Sequence, residues 1–453
     1  MQDFNHKKTL KQMKTLKYIF IISILFSVAS CDLDLVNPNA ATEGDVLTTK
    51  DGLIALAIGT RQVFSVSALG PVLLTPSVTT RETAAMTTFA NLEELEQGGA
   101  QLSGENGYTN RIFVRVMRAK GMAENLIAGL DNVDLDPGTE SGLRAWGHMF
   151  KAMSIGYLAH NYTHVAVDNE LNNNATFIDR TAAYSTAVSL LTDAVSVLTA
   201  NAPSGEFISS VSGDIDLLNT CNALLARYQL MSGNYSAAIS AADKVNLSSK
   251  SVFTYDGQNR NPLFEGLVVD IISYAPRSDF GLPAEFTIDA GDARVGFYLD
   301  PDTTFNSLNN LPVSFPKAPW FLDAQADIPV YLPGEMLLIK AEANAREGNM
   351  VAAEAALNQL RQKTPSEDVF GLGAGLTDTY SSGGDTNELL KEIYKNRRLE
   401  LLLTGMSLED SRRFNRPEPP TAIDFSAERN RNFYPFPDEE RASNSNTPPN
   451  PGI

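Results

Sequence analysis

Apolar residues recur at intervals of three and four along most of this chain, and that spacing marks one face of an α-helix. The clearest faces lie in residues 53–63, 111–130, 143–162 and 182–198. Turn-forming sequences, such as residues 134–138, separate them. The pattern therefore predicts a mainly α fold.

Two segments carry a more specific helical pattern. Residues 223–245 and 341–360 are rich in Ala, and small and large side chains alternate around Gly233 and Gly348. Small residues let two helices approach closely, so the pattern is typical of tetratricopeptide-like helix pairs. The two glycines lie too far apart for tandem repeats of about 34 residues. An insertion must therefore separate the pairs.

The chain between these pairs, at about 248–333, has a different composition. It is rich in Pro, with Tyr, Phe and Asp interspersed, and it shows no helical period. A similar segment lies at about 65–110. Both are predicted to form long loops with short strands on a helical frame, and binding residues tend to lie on such loops.

The N-terminal residues have the organisation of a secretory signal. Lys14 and Lys17 precede an apolar run over residues 18–28, and small residues before Cys31 complete the pattern of a bacterial lipobox. The apolar run is too short to span a bilayer, and its charged flank argues against the alternative of a buried helix. We therefore predict that residues 1–30 are a lipoprotein signal peptide.

The mature chain is predicted to begin at Cys31. Acyl chains on this cysteine and its amine would anchor the protein stably, whereas a single chain anchors only marginally. Residues 31–44, rich in Asn and Asp, would form the tether, and residues 45–453 would form one domain. The sequence offers both Met1 and Met13 as the start of translation.

Charge narrows the range of partners. The chain of 453 residues has 54 Asp and Glu against 36 Lys and Arg, a formal net charge of −18. This charge opposes binding to nucleic acid or to an anionic membrane surface. Besides Cys31 the sequence holds one other cysteine, Cys221, so a disulfide framework is excluded. The apolar helical pattern around Cys221 indicates a small core residue.

Residues suited to catalysis are sparse. No nucleophile and base stand out as a set, and His160 and His164, four residues apart, lack the intervening carboxylate of a helical zinc motif. The glycine-rich residues 371–375 do not follow a predicted strand, as a dinucleotide-binding loop requires. We therefore expect no enzymatic activity, no metal and no cofactor.

The C-terminal part of the chain holds an ordered set of motifs. They are Asn396-Arg397-Arg398-Leu399-Glu400-Leu401, Gly405, Asp410, Arg412-Arg413, Tyr434-Pro435-Phe436-Pro437 and Asn450-Pro451-Gly452-Ile453. This order resembles the C-terminal signature of the SusD/RagB family, surface lipoproteins of Bacteroidetes that capture nutrients, mostly glycans. The resemblance implies a SusD-like fold, in which four tetratricopeptide-like helix pairs form a frame and an inserted, loop-rich subdomain binds the ligand.

The same resemblance implies a function and a location. Members of the family deliver their ligand to a TonB-dependent outer-membrane transporter, the SusC-like partner. The expected role is a non-enzymatic lipoprotein that binds an oligosaccharide or polysaccharide at the cell outer membrane, facing the exterior. Two alternatives stay open: capture of peptides or another nutrient, as in RagB-like members, and a tetratricopeptide-type scaffold that binds proteins.

The basic C-terminal helix can also be interpreted from its residues, without the family resemblance. Asp385 and Glu388 fit a helix capping box. Arg397, Arg398 and Glu400 could form a site for phosphate or carboxylate, but they adjoin an apolar run of leucines. We interpret them as a buried ion network that holds the helix against its neighbours.

Sugar-binding sites combine aromatic faces with planar polar side chains and charged donors. Residues of this chemistry in the two insertions are Arg81, Phe89, Asn91 and Tyr108 in the first and Tyr274, Arg294, Tyr298 and Trp320 in the second. Trp320 is the preferred platform, because the other tryptophan, Trp146, lies on a helical apolar face. The alternative for Trp320 is an aromatic plug that anchors its loop to the frame.

Overall fold

The computed structural model describes residues 46–168, 174–269 and 272–453. The predicted signal peptide, the predicted lipidation site Cys31 and the predicted tether at residues 31–44 lie outside the described residues. Within the described ranges the protein is mainly helical, as the periodicity of its sequence predicts.

Sixteen α-helices lie along the described residues, and short connections join most of those in the first half of the chain. They are α1 (Lys50–Gln62), α2 (Leu69–Thr79), α3 (Ala90–Gln97), α4 (Gly107–Gly129), α5 (Pro137–Asn161), α6 (Arg180–Ala200), α7 (Gly205–Phe207), α8 (Leu217–Met231), α9 (Tyr235–Ala242), α10 (Pro262–Leu267), α11 (Ala293–Tyr298), α12 (Pro333–Arg346), α13 (Met350–Gln362), α14 (Thr386–Glu400), α15 (Ser407–Arg413) and α16 (Asp438–Ser443). A π-helical stretch, Val63–Ala68, joins α1 to α2 without a break.

Short strands form antiparallel ribbons beside the helices. They are β1 (Thr83–Ala85), β2 (His164–Ala166), β3 (Phe177–Asp179), β4 (Val252–Phe253), β5 (Tyr274–Pro276), β6 (Phe305–Asn306), β7 (Pro312–Val313) and β8 (Ile328–Pro329). β1 pairs with β5, β2 with β3, β4 with β8, and β6 with β7. Most of these strands lie between α9 and α12, in the Pro-rich segment.

The long helices share one hydrophobic core. Along the chain α4 packs on α5, α5 on α6, α6 on α8, and α8 on α9. Helix α9 then packs on α12, although residues 243–332 lie between them in sequence. The strand-rich segment therefore leaves the helical layer after α9 and rejoins it at α12.

Two stretches, Lys50–Thr79 and Arg180–Ala200, are long and apolar enough to cross a membrane by length and composition. Both lie against other helices, since α1 and α2 pack on α4 and α6 packs on α5. Part of each stretch is therefore buried in the core of the folded domain, 39% of an 18-residue window in the first and 33% in the second.

The two glycine turns occur where the sequence places them. Gly233 lies between α8 and α9 with a φ of 75°, and Gly348 lies between α12 and α13 with a φ of 80°. A Cβ at either position would meet no atom within 4 Å. The backbone angle, and not close packing, therefore requires glycine here. The tetratricopeptide character of these helix pairs stays a prediction.

The prediction of a loop-rich segment at about 65–110 is wrong for its first part. Residues 65–79 belong to the π-helical stretch and to α2. Nearly every residue of α2 is buried, so the helix has no polar face and its sequence shows no helical period. Pro71 and Pro76 also give this stretch the composition of a loop.

Buried ion pairs hold the C-terminal helices, as predicted for Arg397 and Glu400, whereas Arg398 donates to backbone carbonyls. Arg397 on α14 donates to Asp410 on α15 at 2.8 Å, and Arg413 donates to Glu342 on α12 at 2.7 and 2.9 Å. Burial opposes the ionisation of Glu342, but Arg413 and the guanidinium groups around it lower its pKa to about 2. Asp385 caps α14 by accepting from two backbone N–H groups of the first turn.

The Gly348 turn gives a test of the helix pair. Gly348→Ala should lower the free energy of unfolding by about 1 kcal/mol, because an L-residue is strained at this positive φ. Urea denaturation of variant and wild type measures the change. Gly257→Ala is the matched control, since a Cβ there also meets open space but the backbone φ is not positive. Equal unfolding free energies for the two variants would contradict the turn.

Candidate functional site

One cleft lies where α2, the first turns of α3 and α4, and the strand-rich segment meet. It encloses about 870 Å³. Its aromatic, amide and charged lining residues are Phe89, Asn91, Tyr108, Arg111, Arg115, Gln258, Arg260, Glu265 and Tyr274. We call it the aromatic cleft. It brings together four of the predicted ligand contacts: Phe89, Asn91, Tyr108 and Tyr274.

Asn106 sets the position of two walls of this cleft. Its side chain is fully buried, and its Oδ1 accepts from the backbone N–H groups of Tyr108 and Thr109 at 3.0 and 3.4 Å, which caps α4. Its Nδ2 donates to the carbonyl of Asn91 at 2.8 Å and to Glu94 Oε2 at 3.0 Å. One side chain therefore fixes the first turn of α3 against the first turn of α4.

Glu96, at the other end of α3, positions a third wall. Its buried Oε1 accepts from the backbone N–H of Ala85 at 2.7 Å. Ala85 pairs with Tyr274 in the β1–β5 ribbon, and the N–H of Met86 donates to the carbonyl of Ser273 at 3.0 Å. Helix α3 thus holds the ribbon that carries Tyr274 into the cleft.

Two tyrosine rings lie edge to face in the cleft. The ring centroids of Tyr108 and Tyr274 are 6.2 Å apart. Partial burial raises the pKa of Tyr108, although the Arg111 guanidinium, 5.3 Å from the ring centroid, opposes the rise. Burial also raises the pKa of Tyr274. Both phenols therefore stay protonated at neutral pH, and their hydroxyl groups hydrogen-bond to each other.

Phe89 gives the cleft an open aromatic face. It is the residue before α3, and 47% of its surface is exposed. The amides of Asn91 and Gln258 line the same cleft. A flat apolar ring beside planar hydrogen-bonding groups matches a sugar, which has an apolar C–H face and a polar rim of hydroxyl groups.

A second cleft, also of about 870 Å³, has a different chemistry. Its walls include the exposed aliphatic side chains of Ile208 and Leu218 and the carboxylates of Asp214, Asp216 and Asp327. Burial raises the pKa of Asp327, and the nearby Asp214 raises it further. The second cleft also has two aromatic rings, Trp320 and Phe370, but both are more buried than Phe89. It therefore offers a sugar a less open aromatic face than the aromatic cleft does.

Comparisons with known proteins bear on the family and the fold. Residues 322–452 match the model of the SusD family. A SusD superfamily protein from Bacteroides thetaiotaomicron superposes with a TM-score of 0.68 at 15% identity, covering 88% of this chain and 99% of that one. The chain has a SusD/RagB-like fold, and residues 322–452 also match the family in sequence. No curated protein matches its sequence.

Other solved structures resemble the SusD/RagB-like fold of this chain to the same degree. A putative sugar binding protein from Bacteroides vulgatus has a TM-score of 0.68 at 15% identity, covering 89% of this chain and 98% of that one. A SusD-like carbohydrate binding protein from the same species has a TM-score of 0.65 at 14% identity, covering 90% and 97%. At these identities the likeness establishes the fold.

Tyr298 and Arg294 have structural roles in this SusD/RagB-like fold. Both side chains are fully buried. Arg294 donates to Asp292 at 2.7 Å and to Glu400 at 3.2 Å, while the Tyr298 hydroxyl donates to the carbonyl of Glu400 at 2.7 Å. They anchor α11 to α14. The prediction that they contact ligand is therefore wrong.

Arg81 also has a structural role inside the protein. Its buried guanidinium donates to the carbonyls of Glu96, Asp424 and Ala427 at 2.8, 3.0 and 3.3 Å. Burial lowers its pKa to about 10, which leaves it charged at neutral pH. Because its donors are directed at backbone oxygens inside the protein, the prediction of a ligand contact is wrong for this residue too.

Trp320 belongs to an aromatic cluster outside the aromatic cleft. Its ring centroid lies 5.3 Å from that of Phe297 and 6.1 Å from those of Phe321 and Phe370. Only 7% of its surface is exposed, at the wall of the second cleft. The prediction of Trp320 as the main platform is therefore wrong. Its position matches the alternative, a plug that anchors the loop.

The sequence prediction omits several charged and amide residues of the cleft. Arg111 and Arg115 lie four apart on α4, and this spacing places both on one helix face. That signal is present in the sequence. Gln258 and Arg260 lie in a stretch without a local pattern, so their approach to α4 follows from the tertiary fold alone.

The plug assignment predicts a stability effect for Trp320. Trp320→Ala should lower the free energy of unfolding by about 3–5 kcal/mol, because it empties the centre of a packed aromatic cluster. Trp320→Phe should cost less, since it keeps one ring in place. Denaturant unfolding of both variants measures the order. A Trp320→Ala variant of unchanged stability would contradict the plug.

Proposed function

We propose that this SusD/RagB-like protein is a non-enzymatic, glycan-binding lipoprotein of the cell outer membrane, with the aromatic cleft as its ligand site. The observation that carries the proposal is the open ring of Phe89 in one cleft with Tyr108, Asn91 and Gln258. Two similar solved structures are described as a putative sugar binding protein and a SusD-like carbohydrate binding protein. Their descriptions support glycan as the class of ligand.

The cleft suits a short stretch of a sugar polymer. Its volume of about 870 Å³ lies in the usual range of small-ligand sites, about 300–1,000 Å³. One sugar face would stack on Phe89, while the phenol of Tyr108 and the amides of Asn91 and Gln258 bond the hydroxyl groups. The cleft is open to solvent, so the rest of the polymer would extend outside it.

The proposed route of the ligand depends on the membrane anchor. We propose that the mature chain is acylated at Cys31, faces the exterior and passes its glycan to a TonB-dependent outer-membrane transporter of the SusC-like kind. The lipobox before Cys31 and the match of residues 322–452 to the SusD family support this proposal. A short tether at residues 31–44 would keep the domain close to the membrane surface.

Phe89 offers the sharpest test of the ligand site. Phe89→Ala should weaken binding of a cognate oligosaccharide about tenfold, because stacking on a central aromatic anchor is worth about 1–2 kcal/mol. The fold should be unaffected, since the side chain is largely exposed. Calorimetry with maltoheptaose, xylohexaose, oligogalacturonate and dextran sulfate measures the affinities.

A matched control exists for this variant. Phe315 is 45% exposed and packs on Phe305 of β6, outside the aromatic cleft. Phe315→Ala should leave glycan affinity unchanged. Equal losses in the two variants would show that the cleft is not the site. Binding of a mixed peptide sample, lost in Phe89→Ala, with no binding of any glycan would favour peptide capture instead.

The anchor has its own test. Cys31→Ala should remove lipid from the protein and release it from the outer membrane, because the acylated cysteine is the proposed attachment. Metabolic labelling with a fatty-acid probe and membrane fractionation report both effects. Wild-type protein that carries no label would refute the anchor while leaving the ligand site untouched.

A further inference from the structure

Two arginines of the aromatic cleft lack an acidic partner among the described residues. Arg111 and Arg115 lie on one face of α4, in its second and third turns. The Arg111 guanidinium lies over the Tyr108 ring, 5.3 Å from its centroid. Arg115 donates to the carbonyl of Ser67 at 3.1 Å, a neutral acceptor that leaves its charge uncompensated.

The neighbouring charges do not cancel this pair. Arg260, the third arginine of the cleft, is paired with Glu265 at 2.8 Å. Among the described residues that line the cleft, Arg111 and Arg115 are therefore left as an excess of positive charge. Burial lowers the pKa of Arg115, and the charge of Arg111 lowers it further. The two cations repel each other.

The excess of positive charge in the cleft contrasts with the charge of the rest of the protein. The chain as a whole is strongly acidic, with a formal net charge of −18. Some buried arginines elsewhere are paired, as Arg227 is with Glu335 and Arg413 with Glu342. Others, such as Arg81 and Arg398, donate to backbone carbonyls. Like charges four residues apart on a helix cost about 0.2–0.5 kcal/mol in isolation. A mutually repelling pair in a cleft is stabilised when an anion occupies the cleft.

We infer that the glycan taken by the aromatic cleft is anionic, with carboxylate or sulfate groups that pair with Arg111 and Arg115. This inference rests on the proposed function and adds the class of substrate to it. The sugar ring would stack on Phe89, and its acidic group would accept charge-assisted hydrogen bonds from the two guanidinium groups. The first turn of α4 also lies in the cleft, and the positive end of its helix dipole favours the same charge.

Matched pairs of ligands isolate the effect of charge. Oligogalacturonate and its methyl ester share one backbone and differ in the carboxylate, while dextran sulfate and dextran differ in the sulfate. At low ionic strength the wild-type protein should bind the anionic member of at least one pair about tenfold or more tightly than its neutral partner. If the protein prefers the anionic member in just one of the two pairs, that pair identifies the acidic group as carboxylate or sulfate. Added salt should narrow the gap, because exposed charges are screened.

Substitution at the two arginines locates that preference. Arg111→Gln and the double variant with Arg115→Gln keep polar side chains of similar reach but remove the charges. Both should reduce the preference to about twofold or less. Arg118→Gln is the control, since Arg118 is exposed on the same helix but does not line the cleft. The control should keep the wild-type preference.

Folding of the variants is checked separately. Removal of one of two repelling charges should leave the unfolding temperature of Arg111→Gln unchanged or slightly higher. A fall in affinity for the anionic ligand together with unchanged stability therefore reports recognition. If Arg111→Gln unfolds, Arg111→Lys gives a second test, because it keeps the charge and should keep most of the preference.

The outcomes separate this inference from the proposed function. Equal binding of the neutral and anionic ligands, together with loss of binding in Phe89→Ala, would overturn the inference and leave the glycan site in place. A charge preference that survives in the double variant would also overturn it. Binding of an oligoglutamate peptide with no binding of any glycan would overturn both, and would assign the cleft to acidic peptides.

Discussion

The buried guanidinium of Arg398 holds the two chain segments on which the aromatic cleft depends. Its Nη2 donates to the carbonyl of Thr80 at 2.8 Å and to that of Phe280 at 2.9 Å. Arg81, next to Thr80, and Phe280 itself have φ of 62° and 58°, conformations that cost a non-glycine residue about 1–3 kcal/mol each. These residues lead the chain into β1 and away from β5. Helix α14 therefore fixes the ribbon that carries Tyr274, although it does not line the cleft.

Ion pairs and a further hydrogen bond around α14 extend this dependence to α11 of the strand-rich segment. Arg294 and Tyr298 attach α11 to Glu400, and Glu342 joins α12 to Arg413 on α15. Such pairs add little net stability, because desolvation of the charges offsets most of their attraction. Breaking one is costly, since it leaves a buried charge without a partner. Their effect in this fold is to restrict how a long insertion is able to sit on the helical frame.

Local features of this fold are predictable from the sequence, whereas features that depend on burial are not. Gly348 and Asp385 are recognised because a turn and a helix cap are local and have fixed residue preferences. The helix at residues 65–79 is missed because it is buried all round, which removes the polar face that a periodic pattern needs. Phe89 and Trp320 are both aromatic residues of Pro-containing segments, and their sequences do not distinguish a platform from a plug. Burial decides between these roles, and burial is a property of the tertiary fold.

The charge of the chain would give the proposed selection of an anionic glycan an unusual form. The acidic body repels a polyanion at long range, whereas Arg111 and Arg115 attract it within contact distance. At physiological salt the screening length is about 8 Å, so the repulsion is weakened over most of the approach while the contacts in the partly buried cleft are weakened less. Salt should therefore speed the association of an anionic glycan and also speed its release. The cleft would select its ligand by the lifetime of the complex rather than by electrostatic steering. This fits a site that combines the stacking ring of Phe89 with two cations that have no acidic partner in residues 46–168, 174–269 and 272–453.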